Sequence, residues 1–168
     1  MDKKKLDDEL RTLIENQNFL TQDNSILSQY DGLFRKISFI NCNFEKVSLS
    51  GALFGSCSFK NCTFNEFLSI KGKCLSCSFN NCKITNFSIM SLDCQDTDFK
   101  NCDFTDVELL TSDLYGCTFK ETKFLKGELQ FTSIYYSYFD TCTITDTEIK
   151  RLSFLDTNVK TLRFWTSH

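Results

Sequence analysis

The chain has 168 residues, a formal net charge of -3, an apolar content of 41% and no proline. That length suits one domain with a sizeable core, and the missing basic surplus argues against direct nucleic-acid binding. No run of about 18 apolar residues is present, which excludes a transmembrane helix, and no proline interrupts a hydrogen-bonded ladder.

The N-terminal stretch Met1-Asp2-Lys3-Lys4-Lys5-Leu6-Asp7-Asp8-Glu9 lacks the apolar segment of a secretory signal, so a cytoplasmic location is expected. The ten cysteines are then expected as free thiols. Leu6, Leu10, Leu13 and Ile14 recur at helical spacing and predict an amphipathic α-helix over 3–16. Lys3, Lys4 and Lys5 stand beside Asp7, Asp8 and Glu9, which suits a domain cap and not a membrane anchor. Residues 17–31 read as a polar connector docked by Ile26, Leu27 and Tyr30. The expected organisation is an N-terminal helical cap and connector over 1–31, followed by a repeat domain over 32–168.

From Phe34 to Phe164 every fifth residue is large and apolar, except Ser69, Cys74 and Cys94. A period of five fits neither a helix nor a flat strand and marks a repeat architecture. Two places before each phase residue the chain is mostly small, as at Cys42, Cys57, Cys62, Cys77, Cys82, Cys102 and Cys117. Residues two apart in an extended chain share a face. Each repeat is therefore a short strand with one small and one large residue pointing inward, and the extra residue is taken up by a bend. Stepping by twenty gives an unbroken column of Phe39, Phe59, Phe79, Phe99, Phe119 and Phe139, and an outward column of Asn41, Asn61, Asn81 and Asn101. Like residues stacked on successive rungs produce such columns, so four bends close one coil. At a rung spacing of ~4.8 Å, about 6–7 coils make a rod on the order of 30 Å long. Ser69 is offset by Phe67 in the same repeat, and Cys94 by Leu92. Gly72 to Cys74 has no such compensation and is the expected site of a bulge or cavity; elsewhere a fully packed interior without a pocket is expected.

Segments such as Cys42-Asn43-Phe44-Glu45-Lys46 and Cys102-Asp103-Phe104-Thr105-Asp106 resemble the A-(D/N)-L-x-x motif of the pentapeptide-repeat family, with Cys in the small position and Phe in the large one. The resemblance covers residues 32 to 166. It implies an all-β fold, a right-handed quadrilateral parallel β-helix. Some members, of the quinolone-resistance type, are DNA mimics that bind a type II topoisomerase, which supplies an alternative function here.

No catalytic constellation accompanies the repeat. The sole histidine is His168, the last residue, and no phosphate loop, nucleophile elbow or zinc-type Cys/His spacing is present. No catalytic residue, metal ligand or cofactor is expected, and the chain reads as a non-enzymatic protein-interaction module with an unidentified protein partner. Stacked cysteines lie within disulfide range and could hold soft metals, but small buried residues opposite Phe account for them.

Three outer regions compete for function. Ile70, Met90 and Leu110 point outward on one side, with Leu75, Tyr115, Tyr135 and Leu155 on the next and Phe131 and Tyr136 near the shared edge; these form the candidate partner surface. Asp93, Asp98, Asp103, Glu108, Asp113, Glu128 and Glu148 form the candidate acidic, DNA-mimic surface, opposed by a basic column of Lys60, Lys100, Lys120 and Lys160. At the C-terminal end Phe154, Val159, Phe164 and Trp165 would face water. Either a second copy covers them, in an end-to-end homodimer through Phe164 and Trp165, or Trp165 folds back as a lid.

Overall fold

A computed structural model describes residues 12–20, 32–47, 51–66 and 68–166, the side chains of residues 20 and 68–70 excepted. Every regular element among them is a β-strand, most of them three residues long. The strands stack in parallel on four faces, numbered here in the order the chain visits them from Leu33 onward, and make a solenoid of about six turns. Face 1 begins with Leu33–Arg35, face 2 with Thr12–Glu15 and face 3 with Asn18–Leu20. Face 4 is described from Leu68–Ile70 onward. Two longer strands, Lys83–Met90 and Asp103–Leu110, run from face 3 into face 4.

The pairing confirms the step of twenty, with Phe39 opposite Phe59 and Phe79 opposite Phe99. The large phase residues point into the solenoid. On face 2 the rings stack from Phe39 to Phe139, with neighbouring centroids 4.6 to 5.0 Å apart. Such pairs add roughly 0.5–1.5 kcal/mol each beyond their area burial.

The bend between strands has one geometry from Asn16 to Asp156. Its residue there adopts the left-handed conformation, with φ from 48° to 59° at each non-glycine bend of that stretch among the described residues. Its N–H donates to a carbonyl of the next rung, as Asn41 N does to Lys60 O at 2.9 Å. Asparagine tolerates this conformation best after glycine. Between faces 2 and 3 its amides also bond along the rod: Asn41 to Asn16, Asn61 to Asn41, Asn81 to Asn61 and Asn101 to Asn81, at 2.7 to 3.2 Å.

The small inward seats hold donors as well as fillers. The Cys62 thiol donates to Phe39 O and Lys60 O, and the Thr122 hydroxyl makes the equivalent pair of bonds to Phe99 O and Lys120 O. Cysteine thus serves as a small residue with a weak S–H donor, not only as a hydrophobe. All ten cysteines are free thiols, and Cys94 and Cys117 bring their sulfurs to 3.7 Å.

Two expectations are corrected. The helix expected over 3–16 is a strand where it is described: Thr12–Glu15 pairs with Ile37–Ile40. Ile14 and Phe19 lie on the five-residue phase, and Phe19 stacks on Phe44 at 4.7 Å. This first turn is offset by 25 residues instead of 20, as Phe19 pairs with Phe44. Asn24 and Gln29, which occupy the phase in between, hid the continuation. The expected connector over 17–31 is likewise a strand at Asn18–Leu20, paired with Asn43–Glu45; residues 1–11 and 21–31, with Ile26, Leu27 and Tyr30, lie outside the described residues.

The second correction concerns the interior, where Leu92 was expected to offset Cys94. It holds an apolar cavity of about 90 Å³, lined by Phe54, Gly72, Cys74, Phe79, Phe87 and Leu92 among others. Its position is the one expected from Gly72 to Cys74. Inside face 1 the column reads Phe34, Phe54, Cys74, Cys94, Leu114 and Ile134. Two consecutive rungs therefore lack a large side chain, and Leu92 does not close the space.

Candidate interaction surface

Face 1 and its flanking bends carry a group of exposed aromatic residues, Tyr115, Phe131 and Tyr136, beside the half-buried Tyr135. Tyr115, Tyr135 and Leu155 occupy the same outward position on three successive rungs. The strand Ser133–Tyr135 is bracketed by two bend residues, Phe131 and Tyr136. Tyr115, Phe131, Tyr136 and Leu155 are about half exposed, at 48%, 46%, 56% and 50%. The Tyr115 and Tyr136 rings meet at 5.3 Å, and the Arg151 guanidinium lies 5.1 Å over the Phe131 ring.

The two bend aromatics are the anomaly. Every other non-glycine bend among the described residues carries Asn, Asp, Ser, Thr, Lys, Arg or Glu. A bulky side chain in the left-handed conformation costs on the order of 1–3 kcal/mol, and such strain concentrates at functional sites. Here it holds two rings out of the solenoid where apolar burial cannot reward them.

The rest of the expected apolar stripe is less continuous. Met90 is 48% exposed and registers between Ile70 and Leu110 on face 4, but Leu110 is half-buried and the next rung is Gln130. The Ile70 side chain lies outside the described residues. Leu75 is half-buried and is separated from Tyr115 by Gln95. The structure therefore gathers Tyr115, Phe131, Tyr135 and Tyr136, with Leu155, and leaves Ile70, Leu75, Met90 and Leu110 apart.

The seven acidic positions do not share a face. Asp93 and Asp113 lie on face 1, Asp98 on face 2, Asp103 on face 3, and Glu108, Glu128 and Glu148 on face 4. A step of five moves to the next face, so Asp93, Asp98, Asp103 and Glu108 girdle the rod. Much of the charge is also matched locally. Lys73 pairs with Asp93 at 3.1 Å, Lys123 with Asp103 at 3.6 Å, and Lys150 with Glu148 and Glu128 at 2.8 and 3.4 Å. The Lys150 ammonium is held above its ordinary pKa, first by Glu148 and then by Glu128. The basic column is broken too. Asn80 separates Lys60 from Lys100, and Asp140 separates Lys120 from Lys160, with Lys160 bonded to Asp140 at 3.2 Å.

At the C-terminal end the phase residues lose their cover. Ile149, Phe154, Val159 and Phe164 are 40% to 56% exposed, whereas Phe39, Phe59 and Phe139 are no more than 2% exposed. Trp165 does not fold back: it ends the strand Leu162–Trp165 and is 60% exposed.

Among the described residues no group of His, Cys, Asp or Glu is placed to hold a metal ion. Burial pushes the Cys42 and Cys142 thiols above the ordinary value of 9.0, which keeps them protonated and poorly nucleophilic. No helix among those residues is long and apolar enough to cross a membrane.

The family model "Pentapeptide repeats" matches in eight copies, over residues 34–66 and 93–124. No curated protein sequence matches the chain. Among solved structures it is similar to full-length QnrB1, a plasmid-mediated fluoroquinolone resistance protein, at 14% identity over 88% of this chain and 93% of that one, with a TM-score of 0.43. It is also similar to the pentapeptide repeat protein Rfr23 from the cyanobacterium Cyanothece 51142, at 10% identity over 87% and 99% of the two chains, with a TM-score of 0.32. HetL from the cyanobacterium Nostoc sp. strain PCC 7120, described as involved in heterocyst differentiation regulation, matches at 8% identity over 83% and 95%, with a TM-score of 0.25. The five-residue phase and the stacked rungs agree with the eight matched copies: the chain carries pentapeptide repeats over residues 34–66 and 93–124.

Proposed function

We propose that this protein is a non-enzymatic, cytoplasmic scaffold that docks another protein on face 1. The observation that carries this reading is the pair of aromatic bends, Phe131 and Tyr136, in positions that among the described residues are otherwise polar or glycine. With Tyr115, Tyr135 and Leu155 they make a compact ridge on a rigid support, the kind of aromatic cluster that dominates binding energy in protein interfaces. The test is capture of a partner from the native cell by the unmodified protein and by a Tyr135→Glu, Leu155→Glu variant. Both changes lie on the outer surface and should leave folding intact. Loss of the partner in the variant is expected; equal capture by both proteins removes the proposal.

The charge pattern favours docking over duplex mimicry. A mimic of B-DNA must present charge at about one per 1.7 Å of axis. Here the carboxylates encircle the rod, and several are paired with lysine. A gyrase supercoiling assay, with and without a quinolone, separates the two readings. Docking on face 1 predicts no effect on supercoiling and no protection.

End-to-end association is a second proposal, carried by the exposed Phe154, Phe164 and Trp165. Light scattering across a concentration series tests it. A dimer that Trp165→Glu dissociates is expected, and a monomer at the highest concentration removes the idea.

A further inference from the structure

The bend between faces 1 and 2 carries, on successive rungs, Asp96, Gly116, Tyr136 and Asp156. Gly116 has a φ of +62°, and a Cβ there would stand 2.5 Å from Asp96 Oδ1. The Asp96 carboxylate thus fills the space that a side chain at Gly116 would need. Tyr136 is the next bend residue of the column. Tyr115, the residue before Gly116, brings its ring to 5.3 Å from that of Tyr136. One carboxylate and two exposed rings therefore converge around a glycine that contributes no bulk of its own.

The charges around this corner are unmatched. Asp113 points outward on the same strand as Tyr115, and Asp156 follows Tyr136 along the bend. Among the described residues, none of Asp96, Asp113 and Asp156 makes an ion pair. Aromatic faces attract cations, and guanidinium groups most often. The same ridge already shows this chemistry one bend earlier, where Arg151 lies over the Phe131 ring at 5.1 Å. The corner of Tyr115 and Tyr136 has the rings and an added carboxylate, with no cation of its own chain in place.

We propose that the corner formed by Asp96, Tyr115 and Tyr136 binds an arginine side chain presented by the partner protein that docks on face 1. The guanidinium packs on the tyrosine faces and donates hydrogen bonds to the Asp96 carboxylate, while Asp113 and Asp156 add long-range attraction. The proposal rests on the docking reading above and names the chemistry of the partner.

The test uses the intact protein and two probes, acetyl-Gly-Arg-Gly-amide and its citrulline counterpart, which keeps the shape and loses the charge. Ring resonances of Tyr115 and Tyr136 are followed by NMR through a titration. The arginine peptide should shift both rings, and the citrulline peptide should bind roughly tenfold more weakly, the size expected for losing one charge-assisted hydrogen bond. Asp96→Asn, which preserves shape, should weaken arginine binding by about the same factor. Tyr136→Asn, which suits the left-handed bend, should abolish it. Equal binding of the two peptides, or arginine binding unchanged in Asp96→Asn, overturns the site. A captured partner that is lost in Tyr135→Glu, Leu155→Glu but retained in full by Asp96→Asn overturns the arginine site and leaves the docking face standing. Arginine binding of the expected pattern, with no partner that depends on face 1, supports the site and counts against docking.

Discussion

Faces 1 and 2 are built from the same repeat and differ in almost everything else. Inside face 2 the rings run unbroken from Phe39 to Phe139, and its bend toward face 3 carries a continuous asparagine ladder. Inside face 1 the column falls to Cys74 and Cys94 and leaves a cavity of about 90 Å³. The two bends beside its strand Ser133–Tyr135 carry Phe131 and Tyr136 where other bends carry polar residues. The difference separates two tasks. One side of the rod holds the register, because identical residues on successive rungs favour a single pairing. The other side departs from the repeat both inside and out, and the outer departures produce the ridge proposed to dock a partner.

The comparison can be broken most severely on face 2. Phe59 is 2% exposed and stacks on both Phe39 and Phe79. Phe59→Ala should cost about 3–5 kcal/mol in denaturant unfolding, the usual range for removing a buried ring. Cys74→Ala on face 1 removes far less and opens onto a space that already exists, so its cost should stay below about 1 kcal/mol. Similar losses at both positions would mean that the two columns contribute alike.

The bends offer a middle-sized contrast. Asn61 bonds to Asn41 and Asn81 and sits at φ 53°. Asn61→Ala should lose roughly 1–2 kcal/mol through the missing amide bonds and the added left-handed strain. Tyr136→Asn should instead leave thermal stability unchanged or raise it, while removing partner binding. A residue that lowers stability and supports binding is the signature of a functional site. A clear loss of stability in Tyr136→Asn would make the ring structural.

Filling the cavity sharpens the comparison from the other direction. Cys94→Leu restores a large side chain to the second small rung and should gain on the order of 0.5–2 kcal/mol in chemical denaturation. A destabilised variant would show that the space is needed, or that neighbouring rings already use it.

The smallest effect is expected with pH. The Cys42 and Cys142 thiols are held by burial above the ordinary value of 9.0. Below that value both folded and unfolded chains keep these protons, so stability is unaffected. As pH rises past it, the unfolded chain releases protons that the folded chain retains, and stability falls. The melting temperature should therefore be flat near neutrality and decline at alkaline pH, and a Cys42→Ser, Cys142→Ser variant should decline less. A melting temperature that rises in that range would contradict the burial of these thiols.

Much of the fold was legible because the repeat states it twice, once by fives and again by twenties. The phase from Phe34 to Phe164 identifies the inward residues, and the columns by twenty fix which rungs touch. Gly72 to Cys74 was legible as a weak point because size is local: a small residue without a large partner leaves space. The first turn was not legible. Leu6, Leu10, Leu13 and Ile14 fit a helix by spacing, yet Ile14 and Phe19 belong to the phase, and pairing with Ile37–Ile40 and Asn43–Glu45 makes strands of residues 12–15 and 18–20. Spacing alone cannot weigh a local helix against a neighbouring rung already offering its backbone.

The sequence by itself determined the coil, its four-sided step and the identity of its core, because periodic burial leaves a periodic record. Only the tertiary structure decided how the outward residues combine. Asp93, Asp98, Asp103 and Glu108 are close in sequence and lie on four different faces. Tyr115 and Tyr136 are 21 positions apart and touch. The physical reason is the coil itself: neighbours along the chain are turned a quarter apart, and neighbours in space are one turn away.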